Sequence, residues 1–398
     1  MSGGPEIFTG SFTQQEPIPE DAIEAAVAVM RSGRLHRYNT EDGEVAALER
    51  EFAAYTGAKY ALAVASGGYA MGAALRAIGV RPGDKVLTNA FTLAPVPGAI
   101  AGVGAVPVFV GVTEALTIDL DDLEAKAGEA KVLMLSHMRG HLADMDRLMQ
   151  ICDAAGITVI EDCAHTMGAA WRGRMSGRDG LIGCYSMQTY KHMNSGEGGF
   201  LITDDDDVAA RAILLSGSYM LYGRHGTRPP EDAFERAKYL TPNVSGRMDN
   251  LRAAILRPQL RKLDAQCAAW TARYRIVEEG LRGTPGLAVV ERPAEETFVG
   301  SSIQVLLKDW PDAAVGDVLR RCAARGVQLK WFGGAEPEGF TSRYDSWHYA
   351  PSVRMTDSDR ILRAIVDMRL PLTFSEADCA LIARIIRAEV GAVWQSLD

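Results

Sequence analysis

The sequence predicts a two-domain α/β protein built on a mostly parallel sheet, and three observations carry that expectation. Short apolar runs of strand length alternate with helical patterns as far as Asp249. That rhythm then gives way to one long helical stretch followed by shorter, less regular elements. The chain also has 398 residues, beyond the roughly 250 to 300 at which a single hydrophobic core stops growing.

Taken in order, residues 21–31 carry an amphipathic helical pattern, SGRLHRYNTEDG reads as a loop, and a second helix is expected around 44–55. YALAVA predicts a strand followed by a helix to Gly79, and KVLTNA a strand followed by a helix over 95–103. AVPVFVGV, KVLMLSH, ITVIEDC and GGFLIT predict further strands. Runs this continuously apolar suit strands covered on both faces, the setting of parallel strands joined by crossover helices. The aspartates at 204–207 follow a strand and suit the positive end of a helix. NLRAAILRPQLRKLDAQCAAWTARYRIVEEGL predicts the long helix. The boundary is therefore expected near 255, with an N-terminal segment and large domain over 1–255 and a smaller α/β domain over 256–398. In the latter, LAVVE, SSIQVLL and VQLKW predict strands, with helices over 312–325 and 376–395.

Composition narrows the function. Hydrophobic residues at 47% and charged ones at 23% match soluble globular proteins and exclude a disordered or fibrous chain. With 42 basic and 51 acidic residues, a net charge of −9 and no basic stripe interleaved with aromatics, a nucleic-acid partner is not expected. No apolar stretch is long enough to span a bilayer, and MSGGPEIFTGSF lacks a basic region followed by an apolar one. A cytoplasmic protein with no membrane partner is the expectation. The six cysteines show no CxxC spacing, and His137 and His141 stand at i, i+4 without an accompanying carboxylate pattern. Free thiols and no metal site follow.

Four features fit the needs of pyridoxal phosphate, which requires a lysine, an acid for the pyridine nitrogen, a phosphate cradle and a flanking group for the ring. Asp162 ends the strand ITVIEDC, at the sheet edge where doubly wound folds hold ligands; a helix N-cap is the plain structural alternative. Lys191 lies in CYSMQTYKHMNSGEGGFLIT, where an apolar run meets a glycine-rich turn. Its amine could carry the cofactor as a Schiff base and then act as the proton-shuttling base. In AVASGGYAMGAALRAIG a strand turns through Ser66, Gly67 and Gly68 into a helix whose first N–H groups could accept a phosphate, and Ser186 could add a hydroxyl. His165 follows Asp162 closely enough to approach the ring.

In order and spacing, SGRLHRYN, EFAAYTGAKYALAVASG, FTLAPVPGAIAGVGAVPVFV, GHLADMDRLMQICDAAGITVIEDCAHTMGA, IGCYSMQTYKHMNSGEGG, SGRMDNLRAAIL and MRLPLT resemble the DegT/DnrJ/StrS family of sugar and cyclitol aminotransferases. The resemblance implies the PLP-dependent transferase fold type I, as in aspartate aminotransferase. By position it makes Lys191 the Schiff-base lysine, Asp162 the acid at the pyridine nitrogen, His165 the group near the ring, and Ser186, Gly67 and Gly68 phosphate contacts. Gly68 stands where the family usually has Thr, and Leu93 where it usually has an aromatic ring on the cofactor face. A phosphate contact from a neighbouring subunit is implied within PNVSGRMD, with Asn243, Ser245 and Arg247 as candidates, and hence a homodimer with a shared active site.

For the substrate, Arg37, Arg224, His225 and Arg228 are candidate cations, joined by Tyr38 and by Trp331 at the head of the aromatic-rich WFGGAEPEGFTSRYDSWHY. The expected activity is transfer of an amino group from glutamate or glutamine to a keto-sugar, keto-cyclitol or related ketone. A lyase, dehydratase or side-chain replacement on the same cofactor, and a regulator that keeps the fold without turnover, are the alternatives. The family's dehydratase branch has His in place of the lysine, whereas here Lys191 is present with His192 beside it.

Overall fold

The computed structural model describes residues 6–397; Asp398 and the segment MSGGP, part of the stretch read above for a leader, lie outside the described residues. The chain opens with α1 (Glu20–Ser32), α2 (Glu44–Thr56), β1 (Tyr60–Val64), α3 (Gly67–Ala77), β2 (Lys85–Asn89), α4 (Pro95–Gly102) and β3 (Val106–Val110). It continues through α5 (Leu120–Lys126), β4 (Val132–Ser136), α6 (Met145–Ala155), β5 (Thr158–Asp162) and a small hairpin of β6 (Ala170–Trp171) and β7 (Arg174–Met175). Next come β8 (Ile182–Ser186), β9 (Gly199–Thr203), α7 (Asp206–Ser216), α8 (Glu231–Ala237) and the long α9 (Asn250–Leu281). The remainder is β10 (Ala288–Val289), β11 (Glu296–Thr297), β12 (Ser302–Leu306), α10 (Asp312–Ala324), β13 (Lys330–Trp331), α11 (Thr356–Ala364), β14 (Ile365–Arg369) and α12 (Glu376–Trp394).

Seven strands form the main sheet in the order β1-β9-β8-β5-β4-β2-β3. β2 pairs parallel with β3 and β4, as do β4 with β5 and β5 with β8, while β9 runs antiparallel to both its neighbours. Both faces are covered, which is why these strands lack a polar alternation. Leu48 and Phe52 of α2, Leu148 of α6 and Leu256 of α9 pack on one face. Met71 and Leu75 of α3, Ile100 of α4, Ile213 of α7 and Phe234 of α8 pack on the other. Phe52 stacks on Phe200 of β9 with ring centroids 4.1 Å apart. Its truncation to Ala would cost about 3 to 5 kcal/mol. Asp205 caps α7 by accepting from the Val208 N–H, with Asp206 and Asp207 in the first turn, so the aspartate run does start a helix.

The smaller sheet is antiparallel, β10-β12-β14-β13. Its central strand β14 was not among the expected strands. Helix α11 runs into it at Ile365 without a turn residue, and Asp367 interrupts its apolar pattern. Two further details separate the structure from the expected division at 255. Helix α9 passes that point unbroken, and its side chains leave the large core only after Trp270, with Tyr274, Val277 and Leu281 packing in the small one. Phe8 and Phe12 also join the small core, meeting Phe374 edge-on at 4.9 Å each. Aromatic burial thus ties the N-terminal segment to the C-terminal domain.

Candidate active site

The carboxyl ends of β1, β4, β5 and β8 share one edge of the main sheet, and the chain leaves each in a turn. Asp162 ends β5 and is buried; its Oδ1 accepts from the Ala164 N–H at 3.1 Å and its Oδ2 from the Ser136 hydroxyl at 3.1 Å. Burial raises its carboxyl above the ordinary range, an effect that Lys191, the Ala164 N–H and the Ser136 hydroxyl oppose. After β8, Lys191 swings back so that its Nζ lies 2.8 Å from His165 Nε2. Burial first, then the charge of Arg139, pushes the amine down to about 8 against the pull of Asp162. Burial likewise lowers His165 far below its usual value, with Lys191 and Arg139 adding to it. His165 is therefore a neutral imidazole, and its Nε2 accepts from the lysine ammonium.

At the end of β1, Ser66 caps α3 by accepting from the Tyr69 N–H at 3.0 Å. Among the described residues the N–H groups of Gly67 and Gly68 bond to no acceptor, as expected of a first helical turn. A Cβ on Gly67 would stand 2.9 Å from Ser186 Cβ and 3.2 Å from the Tyr185 carbonyl. The close approach of the turn to β8 requires glycine there and puts Ser186 beside the free N–H groups. At Gly68, by contrast, a Cβ would meet only Ser66 Oγ at 3.9 Å. The two glycines and Ser186 form a neighbouring set of donors suited to a phosphate. Leu93, beyond β2, is partly buried against the cluster containing Ala90 and Phe91.

The proposed substrate cations are placed differently from the expectation. Arg37, Tyr38 and His225 do come together, but as a buried network around Glu49. Arg37 Nη2 donates to both Glu49 oxygens at 3.0 Å and to His225 Nδ1 at 2.9 Å. Since an arginine only donates, His225 Nδ1 must accept, leaving its Nε2–H for the Tyr38 oxygen at 2.8 Å. Glu49 also accepts from the N–H groups of Ala63 and Gly226. Arg224 donates to the Tyr38 carbonyl, and Arg228 to the Gly223 carbonyl. Arg37, Tyr38, Glu49, Arg224 and His225 thus brace the loop after α1 against β1 and the segment after α7, and the charge of Arg37 is spent on Glu49, whereas the exposed Arg228 bonds only within its own segment. Trp331 is likewise occupied, its indole N–H bonded to the Arg363 carbonyl at 2.7 Å.

Asn243 and Ser245 are exposed, with Ser245 N–H donating to Asn243 Oδ1 at 3.0 Å, while Arg247 Nη1 donates to the Gly217 carbonyl. His192 is engaged by other partners: its Nδ1–H donates to the Met167 carbonyl and its Nε2 accepts from Ser301.

This chain matches the DegT/DnrJ/EryC1/StrS aminotransferase family over residues 17–387. It belongs to that family. A putative L-glutamine:3-amino-2,3-dideoxy-scyllo-inosose aminotransferase of Micromonospora echinospora is 34% identical over 286 residues, 69% of this chain and 66% of that one. The counterpart from Streptoalloteichus tenebrarius is 28% identical over 92% of this chain and 89% of its own. Among solved structures, 3-amino-5-hydroxybenzoic acid synthase superposes with a TM-score of 0.83 at 26% identity, covering 98% of this chain and 100% of that one. The large mixed sheet and smaller antiparallel domain are those of fold type I.

Three features of this family member were not legible in its sequence. His137, Glu161 and Cys163 bring ligand-type atoms within 4.8 Å of one another. Glu161 is already saturated, however, accepting from His137 Nε2 and from the N–H groups of Gly177, Asp179 and Gly180, and so clamps the 177–180 loop. Arg139, on the turn after β4, reaches Asp367 of the small sheet at 3.0 Å. A polar chain continues from there through Gln304 to His141, at 2.7 and 2.8 Å. The i, i+4 spacing of His137 and His141 gives no sign of this polar chain, and Asp367 lies in β14, which follows α11 without a turn residue.

Proposed function

We propose that this protein transfers an amino group from glutamine or glutamate to a keto-sugar or keto-cyclitol, with pyridoxal 5'-phosphate as its cofactor. The single observation that carries this reading is the grouping of Lys191, His165 and Asp162 at the sheet edge, the first two 2.8 Å apart. The residues fit the cofactor. The unbonded N–H groups of Gly67 and Gly68 and the hydroxyl of Ser186 suit its phosphate, and the buried carboxylate of Asp162 suits a protonated pyridine nitrogen. Leu93 would give apolar contact to the ring. When bound, the cofactor supplies an electron sink for the charge released as a C–H bond breaks.

Each residue then has a definable task. The amine of Lys191, lowered to about 8, spends an appreciable fraction of time neutral near pH 7 to 8. It can form the covalent link and, once released, carry a proton between two carbon atoms. His165, kept neutral by burial, accepts from Lys191 and orients it. Asp162 would hold the pyridine nitrogen of a bound cofactor protonated by its charge, and Ser136 and the Ala164 N–H keep that carboxylate aimed.

Asn243 and Ser245 remain our candidates for a phosphate contact made to a second subunit. Support for a homodimer comes from the segment around them, where Tyr219, Met220, Tyr239, Leu240 and Val244 are exposed. Large apolar side chains so displayed mark an association surface. No helix among the described residues is long and apolar enough to cross a membrane. The six cysteines are free and buried, which suits the reducing cytoplasm we propose as its location.

Glutamine or glutamate added to the loaded protein should convert the visible absorbance of the lysine-bound cofactor to that of its amine form. Persistence of the original spectrum with every amino acid tried would count against amino transfer.

A further inference from the structure

The residues assigned to cofactor and catalysis leave two cations unused where the main and small sheets meet, Arg139 and Lys330. Arg139 sits on the turn after β4, next to residues that touch the catalytic group. Ser136 bonds Asp162, and a Cβ on Gly140 would lie 3.2 Å from the His165 carbonyl. The backbone of Arg139 is left-handed, with φ 55°, a conformation that costs a non-glycine residue about 1 to 2 kcal/mol and that marks functional turns. Its side chain is only 13% exposed. Even so, among the described residues Nε and Nη2 make no hydrogen bond, although Nη2 lies 3.0 Å from Asp367 Oδ2 as an ion pair. A half-buried arginine fork that meets its carboxylate through Nη2 alone has N–H donors to spare for a further acceptor.

The small sheet supplies the other half. In its register Asp367 pairs directly with Gln304 on one side and Lys330 on the other. Directly paired residues share a face, so Lys330 stands beside the carboxylate that Arg139 approaches, whereas its neighbour Trp331 points to the opposite face. Lys330 makes no ion pair among the described residues; its Nζ lies 5.1 Å from the Phe340 ring centroid. Gln304 already donates to Asp367 Oδ1 at 2.7 Å. Arg139 and Lys330 therefore flank one carboxylate, which pairs with Arg139 alone and leaves the Lys330 charge unmatched. The charge of Arg139 is felt at both Lys191 and His165.

We infer that Arg139, assisted by Lys330, forms a subsite for a substrate carboxylate, and that Asp367 and Gln304 hold its guanidinium in place. The inference rests on the function proposed above and deepens it, since it names a chemical group the substrate must carry. Two sources can supply that carboxylate: the α-carboxylate of the amino donor, or a carboxylated ketone.

The test uses the loaded full-length protein, Arg139→Gln, Arg139→Lys and the fold-safe Lys330→Gln, which replaces an exposed side chain. Calorimetric titration with glutarate, an inert dicarboxylate, reads the subsite without turnover. It should show affinity at least about tenfold weaker in Arg139→Gln, from loss of charge-assisted hydrogen bonds, with smaller losses in the other two. Stopped-flow half-reactions then separate the sources. A raised concentration for half-saturation by glutamine, with the rate at saturation less affected, assigns the donor's carboxylate. A rise confined to the reverse half-reaction with a carboxylated ketone assigns the acceptor's. Unchanged glutarate binding and unchanged half-reactions in Arg139→Gln would overturn the inference. If the wild type itself gave no half-reaction, the failure would lie with the proposed function instead.

Discussion

The phosphate turn offers a substitution whose effect can be worked out from distances. At Gly68 a new Cβ would meet nothing nearer than Ser66 Oγ at 3.9 Å, and no positive φ bars a side chain there. Gly68→Thr should therefore be accommodated, and its hydroxyl would add one donor beside the free N–H groups. A hydrogen bond to a charged group contributes about 1.5 to 3 kcal/mol, and ordering the side chain costs some 0.5 to 1 kcal/mol. A net gain of about 1 to 2 kcal/mol corresponds to roughly 5- to 30-fold tighter binding. The measurement is best made in a Lys191→Ala background, where the covalent link does not contribute, by equilibrium titration with pyridoxal phosphate and separately with pyridoxal. Only the phosphorylated ligand should respond. Gly67→Ala makes the opposite case, since its Cβ would stand 2.9 Å from Ser186 Cβ with strand backbone just behind, and should weaken the phosphorylated ligand selectively. If Gly68→Thr weakened binding, or shifted pyridoxal equally, the turn would not be the phosphate cradle.

Other consequences can be checked as directly. Glu49 has no exposed surface, and Arg37, His225 and two backbone N–H groups hold its carboxyl down at about 2 against the opposing effect of burial. Glu49→Gln leaves Arg37 without its counter-charge and should cost about 3 to 5 kcal/mol in urea unfolding at pH 7. Because the folded value lies below the unfolded one near 4.3, the folded state binds fewer protons between them. The Glu49 contribution is thus complete above about pH 5 and is lost as pH falls toward 2. Unfolding curves from pH 6 to 3 should fall more steeply for the wild type than for Glu49→Gln, and parallel curves would contradict the assignment. Covalent loading by pyridoxal phosphate, followed by its visible absorbance, should accelerate as pH rises through about 8, where Lys191 loses its proton, and should be absent in Lys191→Ala. Leu240, 85% exposed beside Tyr239 at 84%, should on replacement by Asp shift sedimentation toward the monomer; an unaltered species would place the association surface elsewhere.

Much of the architecture was legible because local and tertiary demands agree along most of the chain. Strands such as β5 and β9 are apolar throughout since both faces of the sheet are covered, and turn residues bound them on either side. Asp162, Lys191, His165 and the Ser66–Gly68 turn could be nominated from chemistry and spacing, because a ligand at the carboxyl edge of a parallel sheet constrains which residues follow each strand. Strand β14 was hidden, as it begins without punctuation after α11 and carries an acid at its centre.

What the sequence determined by itself was therefore the layered α/β plan and the identity of the residues at the ends of its strands, since both follow from periodicity and turn chemistry within short windows. Only the tertiary structure decided which charges are free. Arg37 and His225 are candidate substrate cations until Glu49, from α2, is seen to pair with Arg37, and Arg37 to donate to a neutral His225. Arg139 is unremarked until the far sheet brings Asp367 to within 3.0 Å of its Nη2. Charge balance in a buried site is a sum over neighbours distant in the chain, and no local pattern records it.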